Sequence, residues 1–461
     1  MRRHITSQDA HEHDHAWMYS NHDMSCEERI DCLPIQDGLH HFESVANRLR
    51  TIVTCNLGIC LEGFDFIVYT AFASIISQLY FPAENALSST LLVFGGFGVA
   101  YIVRPFGGLF WGLYADHHGR RQALAMISVL TGIGTLMIAL APPYVTLGMA
   151  APVIVLLGRI VQGFAASGEF ASATAMLVEL APPKHQSFYA STQMASQVIT
   201  IALASVLVLF LSSTMTPQAL QSWGWRTVFA LGALIAPLGF YMRAHMSESP
   251  EFIATAARPR EKKLHLTEMF RQYPAELLCI AGIVVISSAA LYMILVFMPV
   301  YAVRELGLST RDVQLTTILC AIVEAPIILL AGVLADRVGR LQIMVPAAIA
   351  YALVSFPLFS HLIASPSTMA FIVAQLVSVT ILGFFTGPMP SAMSELLPTE
   401  VRTSGIGIVF NCVGAIFGGL GPFLITAIVG LTGDKAGPAY WAALTGSIGA
   451  IAVIVMQRRT T

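Results

Sequence analysis

The chain runs to 461 residues, of which 56% are hydrophobic and 11% charged, with a mean hydropathy of +0.70. Soluble domains are roughly a quarter charged, so the composition excludes a soluble globular protein and points to a chain that crosses a membrane many times. A formal net charge of -2 with no massed basic patch argues against a nucleic-acid partner, and seven cysteines, odd in number and mostly within apolar runs, argue against a disulfide framework.

Residues 1–50 are polar and hold no apolar core ahead of a small-residue cleavage site, so a cytoplasmic N-terminal tail is expected there rather than a cleaved leader. His4, His11, His13, His15, His22, Cys26, Cys32, His40 and His41 crowd this tail. None has the paired spacing of a structural zinc site, so a solvated tail without metal is expected. Beyond it, twelve apolar runs are long enough to span a bilayer, at about 52–78, 88–113, 122–141, 149–176, 191–212, 226–243, 276–300, 313–335, 342–363, 369–392, 404–429 and 439–456. The fold class is therefore an all-α membrane protein of twelve transmembrane helices. The longest gap, 247–275, holds Arg258, Arg260, Lys262, Lys263 and Arg271 and divides six segments from six. It is expected to be a cytoplasmic linker between an N-terminal half at 51–246 and a C-terminal half at 276–457.

Basic residues set the orientation. With the amino terminus inside, 19 of the 25 Lys and Arg fall in the tail, the inner loops or the carboxy terminus, against four in outer loops (Arg226, Arg304, Arg311 and Lys435) and two within segments. Both termini are thus expected on the cytoplasmic side of the cell membrane.

The sequence also repeats itself. GLYADHHGRR at 112–121 returns as GVLADRVGRL at 332–341, so that Gly112, Ala115, Asp116, Gly119 and Arg120 fall on Gly332, Ala335, Asp336, Gly339 and Arg340. A second echo with nearly the same offset pairs the surroundings of Glu179 with those of Glu395. Charges of both signs around two glycines suit a tight turn between membrane helices, with Arg120 and Arg121 held inside. Asp116 with Arg120, and Asp336 with Arg340, are expected to form latches near Glu179, Glu395 and Arg402 that hold one face shut.

Six ionisable residues fall well inside the spans: Glu62, Asp65, Arg104, Arg159, Glu169 and Glu324. Each costs about 2.5–3.5 kcal/mol at a helix centre, so they are expected to face the interior. Glu62, Asp65 and Tyr69 share one side of the first helix, while Arg104 lies on the second and Arg159 and Gln162 on the fourth. Two acids beside two arginines form either a structural ion-pair network or a site that exchanges a proton and an anion. Arginine suits a carboxylate because it offers two parallel hydrogen bonds. Arg104 is expected to take that carboxylate with Arg159 in reserve. The pair Glu62 and Asp65 is expected to carry the proton, with Glu169 and Glu324 as alternatives. Gln193, Gln197 and Thr200 make a polar stripe on the fifth helix, and Tyr292, Gln375 and Asn411 are further candidates to bind substrate.

The paired turns resemble the major facilitator superfamily, whose two six-helix halves each carry a Gly-x-x-x-Asp-Arg-x-Gly-Arg turn. LEGFDF at 61–66, RPFGG at 104–108, GRIVQGFAASGE at 158–169, WGWR at 223–226, SESPEF at 247–252 and LPTEVRTSG at 397–405 are similar to the metabolite:proton symporter family. FYASTQMASQ at 188–197, AIFGGLGP at 415–422 and LTGDKAGPAYW at 431–441 are most similar to its citrate and tricarballylate branch. Two positions depart from the pattern: His117 stands where the first turn usually has Arg, and Glu324 stands where a neutral residue is expected. The resemblance implies a monomeric carrier in membrane lipid that moves a small organic acid with protons and needs no cofactor. The alternatives are a symporter of zwitterions such as proline or betaine, and a non-transporting nutrient sensor on the same scaffold. No enzyme constellation is present: there is no phosphate-binding loop, zinc-protease histidine pair or serine elbow.

Overall fold

The computed structural model describes residues 34–81, 86–246, 248, 252–253 and 266–460, and every regular element among them is helical. In hydrocarbon a chain must satisfy its own amides and carbonyls, and apolar runs of this length do so by coiling. The main helices are α1 (Pro34–Ala71), α2 (Ala86–His118), α3 (Arg120–Leu140), α4 (Ala150–Leu180), α5 (Gln186–Thr214) and α6 (Trp225–Ala244). A second series follows: α7 (Pro274–Tyr292), α8 (Thr310–Val338), α9 (Arg340–Ala364), α10 (Thr368–Thr386), α11 (Arg402–Val413) and α12 (Gly437–Thr460).

Among the described residues, ten helices are long and apolar enough to cross a membrane. The two expected segments outside that set, 88–113 and 404–429, fall on α2 and on an interrupted rod. In that rod α11 runs into a π-helical turn at Gly414–Gly419, bends at Leu420 and resumes as helix Gly421–Thr432. α1 begins at Pro34, so its first seventeen residues fall within the stretch 1–50 expected to be a polar tail. Proline is well placed at a helix start, where its missing N–H costs nothing. The zinc reading of His4 to Cys32 and the linker cations Arg258 to Lys263 lie outside the described residues; the linker's end, Leu266–Gln272, is helical.

Within the first series α3 packs on α4 and α6, and α2 on α4; within the second α9 and α7 pack on α12, and α8 on α10. Two seams join the series, α5 against α8 and α2 against α11. Both depend on small residues at repeat-related positions. A Cβ added to Gly112 would sit 2.7 Å from Ser404 Cα, and one added to Gly332 would sit 2.9 Å from the Ser187 carbonyl oxygen. Gly119 and Gly339, the second repeated pair, both take φ 103 and start α3 and α9. Only glycine reaches that backbone conformation without strain, so a tight turn here requires it. Before α12, the Asp434 carboxylate accepts the Ala436 amide at 2.8 Å and the Tyr440 hydroxyl at 2.9 Å, which together hold its carboxyl below the usual range.

Candidate functional site

Two adjoining cavities, one between the helix series and one lined by the first series alone, share Glu62, Tyr101 and Arg104 in their walls. One extends to Asp65, Arg159 and Gln162; the other is completed by Gln197, Ser288, Tyr292, Thr386 and Asn411. Helix periodicity aims the charged set inward. Glu62 and Asp65 on α1, Tyr101 and Arg104 on α2, and Arg159 and Gln162 on α4 are each three residues apart, which puts each pair on one face.

Arg104 Nη2 donates to Glu62 Oε1 at 2.7 Å, and its guanidinium carbon lies 4.3 Å from the Tyr101 ring centre. Asp65 Oδ2 accepts from Thr135 Oγ1 at 2.7 Å and from Gln162 Nε2 at 2.8 Å, while Oδ1 has no hydrogen-bond partner among the described residues. Gln162 Oε1 accepts from Arg159 Nη1 at 2.8 Å, so one amide stands between that carboxylate and that guanidinium. Arg159 lies 3.4 Å over the Tyr69 ring centre and is 5% exposed. Among the described residues no carboxylate comes within ion-pair range of it, and its Nε has no partner. A buried cation in that state is costly, and an arriving anion would relieve it.

In the wall shared by the two cavities, the Tyr101 hydroxyl meets the Tyr292 hydroxyl, joining α2 to α7 with rings set edge to face. The π-helical turn lets the backbone come close: a Cβ on Gly418 would lie 2.8 Å from the Tyr292 ring, and one on Gly419 the same distance from Tyr101. Asn411 lines the cavity while donating to the Ser167 and Gly407 carbonyls at 2.7 Å each.

Four expected site residues lie elsewhere. Glu169 pairs with the fully buried Arg243, which also donates to the Leu124 carbonyl at 2.9 Å and Ser128 Oγ at 2.7 Å. Arg243, at the end of the sixth expected span, is therefore a core residue, because Glu169 neutralises it and carbonyls take up its other donors. Gln193 accepts from Thr174 at 2.7 Å and donates to the Phe170 carbonyl, which ties α5 to α4 and takes it out of the cavity wall. Gln375 donates to the Ile294 carbonyl at 2.9 Å within a second π-helical turn, Met293–Phe297. Glu324 is buried on α8, apart from both cavities. In the other direction, Tyr101, Thr135, Ser288 and Thr386 were missed. Tyr101 was within reach, being one turn before Arg104; a lone Thr or Ser in an apolar run carries no such signal.

The turn-bearing ends are fastened in a pattern finer than the expected latches. Asp116 does approach Arg120 at 3.4 Å, and Glu179 joins Arg120 at 3.3 Å and Arg402 at 3.0 Å. Asp116 Oδ2 also accepts the Ser404 amide at 2.8 Å, at the start of α11. Asp336 repeats this from the other series, accepting the amides of Ser187 at 2.8 Å and Phe188 at 2.9 Å at the start of α5. Each turn's aspartate thus caps a helix of the opposite series, where the free amides of a helix start favour a negative charge. The expected pairing of Asp336 with Arg340 is not formed among the described residues. Arg340 bonds Glu395 and Gln186 instead, since the two amides already take both carboxylate oxygens. The amides of Arg120 and Arg121 point to Glu248, at 3.1 Å each, and Arg121 Nη1 donates to the Met246 carbonyl.

Comparison with known proteins follows the same lines. The citrate-proton symporter of Salmonella typhi is 35% identical over 408 residues, 87% of this chain and 93% of that one. The citrate-proton symporter of Klebsiella pneumoniae is 33% identical over 416 residues, with 90% and 93% covered. Among solved structures, the proton:xylose symporter XylE bound to 6-bromo-6-deoxy-D-glucose superposes with a TM-score of 0.75 at 17% identity, covering 90% of this chain and 96% of that one. The resemblance read from the motifs is borne out, and so is the all-α fold, with ten helices among the described residues long and apolar enough to cross a membrane. Residues 57–422 match the model of one family, and with the paired turns, the two seams and the central cavity they show that the chain belongs to the Major Facilitator Superfamily.

Proposed function

We propose that this protein is a secondary active transporter that carries a small organic acid, citrate-like and bearing two or three carboxylates, together with protons across the cytoplasmic membrane. Arg159 carries the proposal: a buried guanidinium at a cavity wall, with no carboxylate in range among the described residues, is a ready seat for a substrate carboxylate. Arg104 is the second seat, released when a proton neutralises Glu62. Asp65, linked to Arg159 through Gln162, is the companion acid whose charge the approaching anion feels. Proton and anion binding then favour each other, which is the thermodynamic content of symport.

Gln197, Tyr292, Ser288, Thr386 and Asn411 supply neutral hydrogen-bonding groups to the far side of the substrate. The capped turns hold the face that bears them closed, and transport breaks those contacts while the tyrosine clasp opens or shuts the other. Both termini and the 247–275 linker are assigned to the cytoplasm on the bias of basic residues. The name of the two symporter relatives supports the substrate class.

The test is uptake of radiolabelled citrate into proteoliposomes with and without an imposed proton gradient, with tricarballylate, 2-oxoglutarate and proline as competitors. Accumulation that requires the gradient and is blocked by carboxylates is expected. Competition by proline alone would favour a zwitterion, for which the Glu62 and Arg104 pair offers one partner for each charge.

A further inference from the structure

The two sides of the cavity between the helix series differ in chemistry. Among the described residues, the charged side chains that line either cavity are Glu62, Asp65, Arg104 and Arg159, all of the first series. The second series lines it with Ser287, Ser288, Tyr292, Thr386 and Asn411 as its polar groups, none of them charged. Two guanidiniums balance two carboxylates. A third carboxylate against the second-series wall would be a buried charge without compensation, which is costly.

That wall is also short of donors. Asn411 Nδ2 spends both hydrogens, on the Ser167 and Gly407 carbonyls at 2.7 Å each, and those two acceptors fix which way round the amide sits. Its Oδ1 has no partner among the described residues and is what Asn411 offers to the cavity it lines. Ser287 gives its hydroxyl hydrogen to the Val284 carbonyl at 3.1 Å and Thr386 gives its own to the Leu382 carbonyl at 2.9 Å, so both keep only lone pairs. Ser288 Oγ lies 3.7 Å from a Cβ built on Gly414, three residues beyond Asn411 and on the same face. A carboxylate brings only lone pairs to such a wall, whereas a protonated carboxyl donates its O–H and accepts at its carbonyl.

The elements packed on α11 bring it no spare cation. On α2, Arg104 bonds Glu62, Asp116 caps the start of α11, and Tyr114, His117 and His118 lie at the turn. On α4, Glu169 is paired with Arg243, and Glu179 with Arg120 and Arg402. On α7, Glu276 pairs with Arg459, Cys279 is a buried thiol, and the Tyr292 hydroxyl meets that of Tyr101. On the helix Met389–Glu395, Glu395 is taken by Arg340, and α11 itself adds only Arg402 and Cys412.

We propose that the third carboxyl of the substrate enters protonated and donates its O–H to Asn411 Oδ1, so that the species carried is a dianion whose two carboxylates sit on Arg104 and Arg159. This rests on the organic-acid reading above and refines it. Asn411 determines specificity, Ser288 donates to the carbonyl of the same carboxyl, and one proton crosses on the substrate itself. Raising the pH strips that proton and leaves a trianion that the acceptor-lined wall rejects.

A substrate hydroxyl offers the same donor chemistry, so the probe is tricarballylate, which has three carboxyls and no hydroxyl. Equilibrium titration of the purified full-length protein between about pH 5 and pH 8 compares it with its monoamide at the central carboxyl, a neutral isostere of the protonated group, and with glutarate, which lacks that carboxyl. Protons taken up by Glu62 and Asp65 affect all three ligands alike. Above the last ionisation of free tricarballylate, its affinity is expected to fall about tenfold more per pH unit than that of the monoamide or glutarate, the mark of one proton borne by the ligand. Asn411→Leu is expected to weaken tricarballylate and the monoamide by about tenfold or more at low pH and glutarate by less than about twofold. Tight binding with equal slopes in the parent overturns the proposal alone, and citrate bound more tightly than tricarballylate at every pH with those equal slopes gives the donor role to the hydroxyl. Equal losses for all three ligands in Asn411→Leu reduce Asn411 to a helix fastener and overturn its part. A parent that binds none of them overturns the organic-acid reading and this proposal with it.

Discussion

Asp336→Ala tests the helix caps that hold the seam. The carboxylate accepts two amides, from Ser187 at 2.8 Å and Phe188 at 2.9 Å, and these belong to α5 while Asp336 belongs to α8. The bonds exist only when the two helix series touch at this end, so losing them shifts the balance of conformations more than it unfolds either series. An N-cap replaced by alanine costs about 0.5–2 kcal/mol, and bonds to a charged group stand at the upper end of such values. Asp336 is half-buried, so water returns part of the loss, and about 1–2 kcal/mol remains. That is about a 5- to 30-fold change in the ratio of closed to open forms. Distances between spin labels at the exposed positions Lys184→Cys, just before α5, and Arg337→Cys, on α8, should therefore broaden toward longer values than in the parent. Asp116→Ala should do the same through Ser404, and the pair should be nearly additive because the sites share no partner. A separation changed less than twofold in population by Asp336→Ala, with the fold intact, would refute the cap's role.

Arg159→Lys and Arg104→Lys keep the charge and lose the paired donors, so each should weaken citrate binding by at least tenfold in equilibrium titration of purified protein; parental affinity in both would remove the arginines from the site. Glu62→Gln with Asp65→Asn should leave counterflow exchange and abolish accumulation driven by a proton gradient; undiminished accumulation counts against the pair as proton carriers. Glu169→Gln strands Arg243 in the core and should cost about 3–5 kcal/mol, read as a fall in melting temperature, while Glu169→Gln with Arg243→Met should recover most of it. Gly332→Leu should prevent the seam from closing, since even a methyl would meet the Ser187 carbonyl at 2.9 Å, and both exchange and accumulation should disappear.

Sequence by itself determined the helical class and the order of the spans, because a hydrocarbon solvent leaves an apolar run of that length little choice but a helix. It also determined the twofold repeat and the inward direction of Glu62, Asp65, Arg104 and Arg159, since a lipid-facing charge is too costly and helical periodicity fixes which residues share a face. Tertiary structure alone decided which charge met which. Residues as far apart as Glu169 and Arg243, or Asp336 and Ser187, are joined by helix packing that no local pattern encodes. The same packing turned Gln193 and Gln375 from cavity candidates into helix fasteners, since an amide turns to whichever carbonyl the neighbouring helix presents. Glu324 shows the division most plainly: sequence marked it as an acid in the wrong place, and only the packing of α8 shows it buried and apart from both cavities.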